Sequence, residues 1–251
     1  MNAASGHAAL PVLEPHWPAP AAVRAAFTLR AGGVSSAPYE SLNLGAHVGD
    51  APEHVRENRR RVCQRLALPA EPAWLEQVHG TEIADLDAGA TGAADGVLAR
   101  QPARVCVVQV ADCLPVLFAA RDGSAVAAAH AGWRGLAAGV LEATVAKLAI
   151  APARLCVWLG PAISREHFEV GEEVRTAFVT RDAGAAAAFS ANPRGRWQCD
   201  LVALARRRLA ALGIESVAGG AWCTYADSAR FFSYRRDGQC GRMAALIWLR
   251  P

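Results

Sequence analysis

Residues 108–135, VQVADCLPVLFAARDGSAVAAAHAGWRG, constrain the fold more than any other stretch of this chain. Two apolar runs of strand length flank Asp122-Gly123, a dipeptide that favours a two-residue turn between antiparallel strands. Such a hairpin places His130 opposite Pro115. Because positions two apart share one face of a strand, Cys113 and His130 are expected to be diagonal neighbours, about 7–8 Å apart along the backbone.

A thiol and an imidazole at the end of an apolar hairpin indicate either core packing or chemistry. Core packing does not explain Asp112 beside the thiol, or the glycines and the Trp133-Arg134 pair that follow His130. His79, in LEQVHG at the end of another strand-like run, adds a second imidazole. Two histidines and one cysteine suit Zn²⁺ with its fourth position open to water or substrate, whereas structural zinc sites carry paired cysteine spacings that this sequence lacks.

The composition is that of a globular protein with a core, since 53% of the residues are hydrophobic and 20% are charged. Seven cysteines are scattered singly without a C-x-x-C pair, which favours a reducing cytoplasm over a disulfide scaffold. The net charge of +3 is too small to indicate nucleic-acid binding. No apolar run approaches the roughly 18 residues of a membrane helix, and the N-terminus shows no signal-peptide pattern. We therefore expect a soluble cytoplasmic protein, a monomer or weak homodimer, with no nucleic-acid or membrane partner.

The chain is expected to form a loose leader at residues 1–22, which are rich in Ala and Pro, and one domain at residues 23–251. Hairpins and helix crossovers together predict an α/β fold with a mixed β-sheet flanked by helices. Strands are predicted at 23–33, 73–80, 104–113, 114–120, 124–132, 154–163, 214–223 and 242–249. Helices are predicted at 50–68, 136–150, 170–180 and 200–212, with Asp50 and Asp200 as N-caps.

From about residue 24 to the C-terminus, the chain resembles the laccase-domain, purine nucleoside phosphorylase family, also called the polyphenol oxidase or peptidoglycan editing factor family. The resemblance rests on six segments that occur in the family's order: RAGGVSSAPYESLNLGAHVGD (30–50), EQVHG (76–80), VADCLPVLF (110–118), AAHAGWRG (128–135), GPAI (160–163) and CTYADSARFFSYRRDGQCGRMAALIWL (223–249).

The resemblance implies an α/β fold with a mixed sheet, related to that of some toxin cysteine hydrolases. It implies that the zinc-binding histidine, cysteine and histidine of the family fall on His79, Cys113 and His130. It also implies enzymes that split purine nucleosides with phosphate, deaminate adenosine and accept methylthioadenosine. Copper-dependent oxidation of phenols and editing of misloaded cell-wall precursors have been assigned to members too, and the motifs do not separate these activities.

Phosphorolysis of a nucleoside needs an anion site beside the sugar carbon C1′. Lys147 is the only lysine, so a G-x-x-x-x-G-K-[ST] phosphate loop is excluded and Schiff-base chemistry is not expected. The candidate cations are therefore arginines: Arg30, Arg59, Arg134 and Arg235. Arg134 ranks first because it follows His130 by four residues and lies among glycines.

Other side chains are candidates for contacts with a substrate. The Asn43 amide can bind ribose hydroxyls or a base edge, although an asparagine in SLNLG is also typical of a turn. Gln77 is expected to share the face of His79, and Asp112 is expected either to orient a ligand or to accept a proton. Four aromatic residues can stack on a purine but are more typical of core packing: Tyr225, Phe231, Phe232 and Tyr234.

Three enzymatic hypotheses remain at this point. The first is a zinc-dependent phosphorylase of adenosine, inosine, guanosine and methylthioadenosine that also deaminates adenosine. The second is a hydrolase of a cell-wall precursor amide, with Cys113 as nucleophile and His130 as base. The third, a Cu²⁺-dependent phenol oxidase, is disfavoured because three N/S ligands make one mononuclear site and the other histidines do not cluster in the sequence. A non-enzymatic binding module would leave the open metal position unexplained.

Overall fold

The structure is a computed structural model that describes residues 10–251. In this part of the chain it has thirteen β-strands and six α-helices. They are β1 (Val12–Leu13), β2 (Val23–Thr28), α1 (Pro52–Leu66), β3 (Ile83–Asp85), β4 (Gly96–Ala99), β5 (Val105–Val110), β6 (Leu114–Ala120), β7 (Val126–Ala131), α2 (Trp133–Ala138), α3 (Val140–Leu148), β8 (Leu155–Leu159), β9 (Glu169–Val170), α4 (Glu172–Val179), β10 (Phe189–Ala191), β11 (Trp197–Cys199), α5 (Leu201–Ala211), β12 (Val217–Gly219), α6 (Tyr234–Asp237) and β13 (Met243–Leu249).

Two large sheets organise the molecule. A six-stranded mixed sheet has the order β12-β8-β6-β7-β4-β3, with parallel pairs at its two edges and antiparallel pairs between β8 and β4. A four-stranded antiparallel sheet has the order β1-β2-β13-β5. Strands β10, β11 and β9 form a small third sheet.

The buried side chains show how these layers stack. One apolar cluster lies between the six-stranded sheet and the helices α2 to α5, as in the packing of Phe118 near Leu141 and Leu204. A second lies between the two large sheets, and a third covers the outer face of the four-stranded sheet beneath α1. The α/β fold with a mixed sheet flanked by helices is confirmed, and a second sheet packs on the face of the mixed sheet away from α2 to α5.

The hairpin of β6 and β7 has the predicted register. Pro115 faces His130, and Leu114 faces Ala131 at the open end. The connection is longer than predicted, because Ala120 N donates to Ala125 O at 2.9 Å and residues 121–124 form the loop. A four-residue loop keeps the same pairing as a two-residue turn, so the placement of Cys113 and His130 does not change.

Three local predictions are wrong. Residues 73–80 do not form a strand, since Glu76 makes only an isolated bridge to Ala93. Helix α1 is capped by Ala51 without a side-chain bond, because the Asp50 carboxylate accepts from Ser35 Oγ and Asn43 Nδ2 instead. The helix predicted at 136–150 is two helices, α2 and α3, separated by a glycine in the left-handed region. The predicted N-cap of α5 is confirmed, since Asp200 Oδ1 accepts from Ala203 N at 2.8 Å.

The expected leader differs from the structure over its described part, residues 10–22; residues 1–9 lie outside the described chain. Leu10 is buried beside α1 and the four-stranded sheet, and β1 pairs with β2. The apolar side chains of this segment cover an edge of the sheet, so residues 10–22 pack on the domain.

None of the helices within residues 10–251 is long and apolar enough to cross a membrane.

Candidate metal centre

The hairpin brings a thiol and an imidazole to one end of the six-stranded sheet. Cys113 immediately precedes β6, and His130 lies near the end of β7. The Cys113 side chain is partly exposed and His130 is buried. The pairing of Pro115 with His130 makes the two residues diagonal neighbours, as the sequence predicts.

His79 completes the group from a loop instead of a strand. Its backbone is left-handed, with φ of 61°, which turns the chain back toward the hairpin. His79 Nε2 lies 3.9 Å from Cys113 Sγ, and the rings of His79 and His130 meet edge to face with centroids 4.8 Å apart. The donor atoms of His79, Cys113 and His130, hereafter the trio, all lie within 4.8 Å of one another.

Asp95, which the sequence did not indicate as functional, holds two members of the trio. It is fully buried at the start of β4, and its Oδ1 lies 2.8 Å from His130 Nδ1. The same carboxylate accepts the backbone N–H groups of Val78, His79 and Gly80 at 3.0, 2.9 and 2.6 Å. Burial raises the pKa of Asp95, but the bonds from His130 and the backbone outweigh it and lower that pKa overall, so the carboxylate is ionised.

Gly132 leaves room for the trio. A Cβ at this position would lie 2.8 Å from His79 Cδ2 and 3.0 Å from Cys113 Sγ. Its φ of −64° is open to any residue, so the space and not the backbone conformation requires glycine. The glycine that follows the hairpin is therefore explained by the approach of two trio side chains.

The trio is electrostatically coupled. Burial opposes ionisation of the Cys113 thiol, but the charge and hydrogen bonding of His130, with a smaller effect of His79, lower its pKa to about 6. Burial also opposes protonation of His130, but Cys113 and Asp95 raise its pKa to about 9. In the absence of a metal, the group therefore favours a thiolate beside an imidazolium.

A cleft opens above the trio. Its lining residues, hereafter the cleft, are His79, Ala111, Asp112, Cys113, Trp133, Arg134, Ile163, Phe168, Leu201, Tyr234 and Arg235. Apolar and aromatic side chains make up part of the lining, and two arginines, with Asp112, supply charge. This arrangement suits a ligand with a flat apolar part and an anionic part.

The two candidate arginines of the cleft differ in what they contact. Arg134 is exposed and its guanidinium lies over the Trp133 ring, 4.5 Å from the centroid. Within residues 10–251 it makes no side-chain hydrogen bond or ion pair. Arg235 Nη1 donates to Glu169 O at 2.8 Å, and its guanidinium lies over Phe168. Arg134 thus has the freer cation of the two.

The other two candidate arginines bind backbone carbonyls, and phosphate contacts of either one stay a prediction. Arg30 donates to Glu40 O twice and to Ser228 O, and it covers the Phe232 ring. Arg59 donates twice to Leu44 O and stacks on Trp74. Neither residue lines the cleft, because each guanidinium closes a loop by binding backbone carbonyls.

Asn43 and Gln77 are also committed within the protein. Asn43 is fully buried, its Oδ1 accepts from Gly45 N and Arg242 N, and its Nδ2 donates to Gly45 O and Asp50. Gln77 exchanges two hydrogen bonds with the Gln109 backbone on β5. Both amides therefore fix loops of the protein, and their contacts with a substrate stay a prediction.

Asp112 lines the cleft, but both of its carboxylate oxygens are occupied. Oδ1 accepts from Thr224 Oγ1 at 2.6 Å, and Oδ2 accepts from Arg235 N at 2.7 Å. The residue is buried, with a left-handed φ of 89°. It joins the segment beside Cys113 to the start of α6, and its expected role, to orient a ligand or to accept a proton, stays a prediction.

The four aromatic candidates divide by position. Phe231 and Phe232 are fully buried between the two large sheets, as core packing predicts. Tyr225 stacks on His167 with centroids 4.4 Å apart. Only Tyr234 among these four lines the cleft, and it is 60% exposed. It alone is placed to meet a flat ligand.

His47, within electrostatic reach of the trio, and Arg242, within reach of His47, were missed by the sequence analysis. Burial, followed by the charges of Arg242, Arg59, His130 and His79, lowers the pKa of His47, which places this histidine within electrostatic reach of the trio. Arg242 donates its side chain to the backbone at Cys240 and Gly241. Both residues belong to segments that carry the family resemblance, but no spacing rule connects them to the trio.

The trio fits a metal ion by its donor set. Two imidazoles and one thiol are the ligands that zinc prefers when a fourth position stays open. Asp95 beside His130 Nδ1 leaves Nε2 of that ring for the metal, and Gly132 keeps the space clear. Across residues 10–251, no other group of three such side chains is placed to hold a metal, and a coupled multicopper centre needs more.

The chain matches a known family over most of its length. Residues 24–250 match the model of the family described as multi-copper polyphenol oxidoreductase laccase. The protein is thus a layered α/β protein with a cluster of two histidines and one cysteine at one end of a sheet. The chain belongs to this laccase-domain family.

Individual proteins of known name or structure are similar to this chain over most of its length. The chain is 56% identical to a purine nucleoside phosphorylase of Pseudomonas aeruginosa, over 94% of this chain and 98% of the relative. It is 52% identical to purine nucleoside phosphorylase YfiH of Escherichia coli, over 95% and 98%. A crystal structure of a Neisseria meningitidis protein superposes with a TM-score of 0.92 at 50% identity, covering 96% of this chain and 99% of that one.

Proposed function

We propose that this protein is a zinc-dependent purine nucleoside phosphorylase that also deaminates adenosine. Its nucleosides would be adenosine, inosine, guanosine and methylthioadenosine, and its second substrate inorganic phosphate. The observation that carries the proposal is that the Arg134 guanidinium, which makes no side-chain hydrogen bond or ion pair within residues 10–251, lines the same cleft as His79 and Cys113 of the trio. The names of the relatives from Pseudomonas aeruginosa and Escherichia coli support the same activity.

His79, Cys113 and His130 would hold the zinc ion, which supplies a Lewis-acid charge beside the reacting atoms when it is bound. Arg134 would bind the phosphate by charge-assisted hydrogen bonds, with Arg235 nearby. Tyr234 would cover one face of the purine, and Ile163, Phe168 and Leu201 would exclude water from the apolar wall. The cleft thus separates an anion region from a base region.

Phosphorolysis in this arrangement is a single exchange of bonds. A phosphate oxygen bonds to C1′ of the ribose while the bond from C1′ to the purine nitrogen breaks. The purine leaves with the bonding pair and takes up a proton, and the sugar leaves as its 1-phosphate. Arg134 would stabilise the phosphate as it approaches C1′. This role requires a cation that lines the cleft and is not buried in the core.

Metal analysis and a phosphate-dependent nucleoside assay test this proposal together. The purified protein should contain about one zinc ion per chain, because the trio forms a single site. It should release purine from inosine or adenosine only when phosphate is added. Full activity in chelator without any transition metal would contradict the zinc proposal, and copper in place of zinc with phenol oxidation would support the oxidase hypothesis instead.

One observation favours a second candidate, the amide hydrolase. Cys113, His130 and Asp95 form a chain of thiol, imidazole and buried carboxylate, and the lowered pKa of Cys113 is typical of a cysteine nucleophile. A thiolate bound to metal is a poor free nucleophile. Replacing Cys113 with serine separates the two: the phosphorylase loses zinc and turnover together, whereas the hydrolase loses turnover regardless of zinc.

The location, partners and oligomeric state of the enzyme can be proposed as well. We propose a cytoplasmic location, small molecules as the only partners, and a monomer or weak homodimer. Sedimentation of the purified protein over a range of concentrations tests the oligomeric state.

A further inference from the structure

The Asp95 side chain contacts both segments that carry the histidines of the trio. Its Oδ1 meets His130 Nδ1 and the backbone N–H of His79, and its Oδ2 accepts from Val78 N and Gly80 N. The backbone also joins them, since His130 N donates to Asp95 O at 2.7 Å. One residue therefore links the loop that carries His79 to the strand that carries His130.

We propose that Asp95 is the positioning residue of the metal site, holding His79 and His130 at the separation that lets them share one ion with Cys113. This inference rests on the proposed zinc function. Asp95 is fully buried and is not among the residues that line the cleft, so it would act through the two histidines.

The loop around His79 needs such support. Residues 73–80 lack a strand ladder, and His79 has a left-handed backbone that a residue with a side chain adopts at a cost. Three consecutive N–H groups, from Val78 to Gly80, converge on one carboxylate and have no strand partner. The carboxylate thus replaces the missing ladder and fixes the direction of the His79 side chain.

The bond to His130 fixes the other histidine. A carboxylate only accepts hydrogen bonds, so Asp95 directs the ring proton to Nδ1 and leaves the Nε2 lone pair for a metal. The ring cannot turn without breaking this bond inside the core. Both ligands are therefore set before a metal arrives.

Replacing Asp95 with asparagine tests the inference, because the amide keeps the size but turns one acceptor into a donor. The amide nitrogen is a donor, so it could not accept hydrogen bonds from the backbone N–H groups that it would face. The His79 loop should therefore move, while His130 keeps one hydrogen-bond partner. Zinc affinity, measured by equilibrium dialysis of the metal-free protein with zinc alone, should fall roughly 10- to 100-fold. Asp85→Asn is the matched control: it also changes an aspartate that accepts a backbone N–H, on the neighbouring strand β3, and should leave zinc affinity unchanged.

A double-variant comparison separates positioning from general damage to the fold. In a His79→Ala background the ligand that Asp95 aims is already gone, so Asp95→Asn should reduce zinc affinity much less than in the wild type. An equal reduction in both backgrounds would show that Asp95 does not act through His79 and would overturn the inference that it positions both histidines. Failure of the wild type to bind zinc would overturn the proposed function and this inference together, whereas wild-type binding with unchanged affinity in Asp95→Asn would overturn the inference alone.

Imidazole nitrogen NMR of the metal-free protein gives a readout that needs no metal. At a pH where His130 is neutral, the wild type should show its proton on Nδ1, and Asp95→Ala should lose this preference. A wild-type proton on Nε2 would contradict the positioning role, even if the substituted proteins fold poorly.

Discussion

At the scale of single residues, the arginines of this protein are distinguished by what their guanidinium groups already contact. Arg30 and Arg59 donate to backbone carbonyls, whereas Arg134 lines the cleft and makes no side-chain hydrogen bond within residues 10–251. A guanidinium without such hydrogen bonds keeps its donors for a ligand. We therefore propose that the phosphate binds at Arg134.

Replacing Arg134 with lysine should weaken phosphorolysis much more than deamination. Lysine keeps the charge but loses the planar fork that binds two phosphate oxygens, and deamination uses no phosphate. Loss of one charged hydrogen bond costs roughly 1.5–3 kcal/mol, or about ten- to a hundredfold in the phosphate dependence of kcat/KM. Steady-state kinetics with phosphate varied measures this. Equal losses of both activities would place the phosphate elsewhere, with Arg235 as the next candidate.

Replacing Gly132 with alanine should impair the metal site without unfolding the chain. The backbone there suits alanine, but the new methyl group would collide with His79 Cδ2 and Cys113 Sγ. We expect zinc affinity to fall roughly tenfold or more, as for other disturbances around metal ligands. Equilibrium dialysis measures the affinity, and circular dichroism checks the fold. Unchanged affinity would show that the trio has more space than the structure gives it.

The metal-free protein should contain one unusually reactive thiol. Since the pKa of Cys113 is lowered to about 6, the reactive thiolate forms as the pH rises through about 6. The pKa of Cys63 is raised to about 11, by burial and by Glu71, so this partly exposed cysteine should stay slow at neutral pH. Iodoacetamide labelling followed by peptide mass analysis compares the two. Equal labelling at pH 7 would be inconsistent with the electrostatics described here, and added zinc should protect Cys113.

The trio could be predicted from the sequence because the hairpin register and the motif order both point to it. Asp95 could not, since its role depends on backbone N–H groups of a loop that looks like a strand in the sequence. The four arginines could not be separated either. Only packing shows that Arg30 closes a loop while Arg134 faces a cleft.

At the scale of secondary-structure elements, the break between α2 and α3 shapes the region behind the cleft. Gly139 has φ of 110°, a conformation that L-residues avoid, and it ends one helix and begins the next. The break lets α2 start beside His130 while α3 lies along the six-stranded sheet. A continuous helix could not do both.

Replacing Gly139 with alanine should destabilise the protein by about 1–2 kcal/mol. The nearest atom to an added Cβ is Glu142 Oε2 at 3.5 Å, so there is space and the cost is that of the left-handed backbone. Urea denaturation with an unchanged m-value measures it. Unchanged stability would mean that α2 and α3 can join into the single helix that the sequence predicts.

Elements with a strong local pattern could be predicted, and those fixed by distant partners could not. Strands β6 and β7 have their apolar runs and turn residues close together in the chain, so their register follows from local rules. The loop at 73–80 has the same apolar pattern, but its backbone pairs with a carboxylate and a bridge instead of a strand. Periodicity alone does not distinguish the two.

At the scale of the whole molecule, the N-terminal segment belongs to the fold. Leu10 is buried against the outer apolar cluster, and its carbonyl accepts from Arg65 of α1. The segment thereby connects the edge of the four-stranded sheet to the helix that covers it. Its contribution to stability can be measured directly.

Replacing Leu10 with alanine should lower the free energy of unfolding by roughly 2 kcal/mol or more, as for other buried leucines. Chemical denaturation measures this change, with a protein that lacks residues 1–9 as a second reference. A loss below a few tenths of a kcal/mol would support the loose leader that the sequence predicts.

The two-sheet architecture could not be predicted from the sequence. Strand β13 pairs with β2 and β5, which lie far from it in the chain, and nothing in an apolar run specifies such partners. The sequence supports a mixed sheet with helices, which is the part formed by local hairpins and crossovers. The second sheet depends on which apolar faces fit together.

If the trio binds a metal, its origin in separate segments would link folding to metal supply. His79 lies in a loop before β3, Cys113 lies between β5 and β6, and His130 lies in β7, so the three donors meet only in the assembled chain. A ligand that binds the folded state alone stabilises it by mass action. Above its dissociation constant, each tenfold rise in free metal would add about 1.4 kcal/mol to the free energy of unfolding. The amount of intact protein in a cell would then depend on how much of the metal is available. When the metal is scarce, more of the chain would be unfolded and open to proteases, whether or not substrate is present.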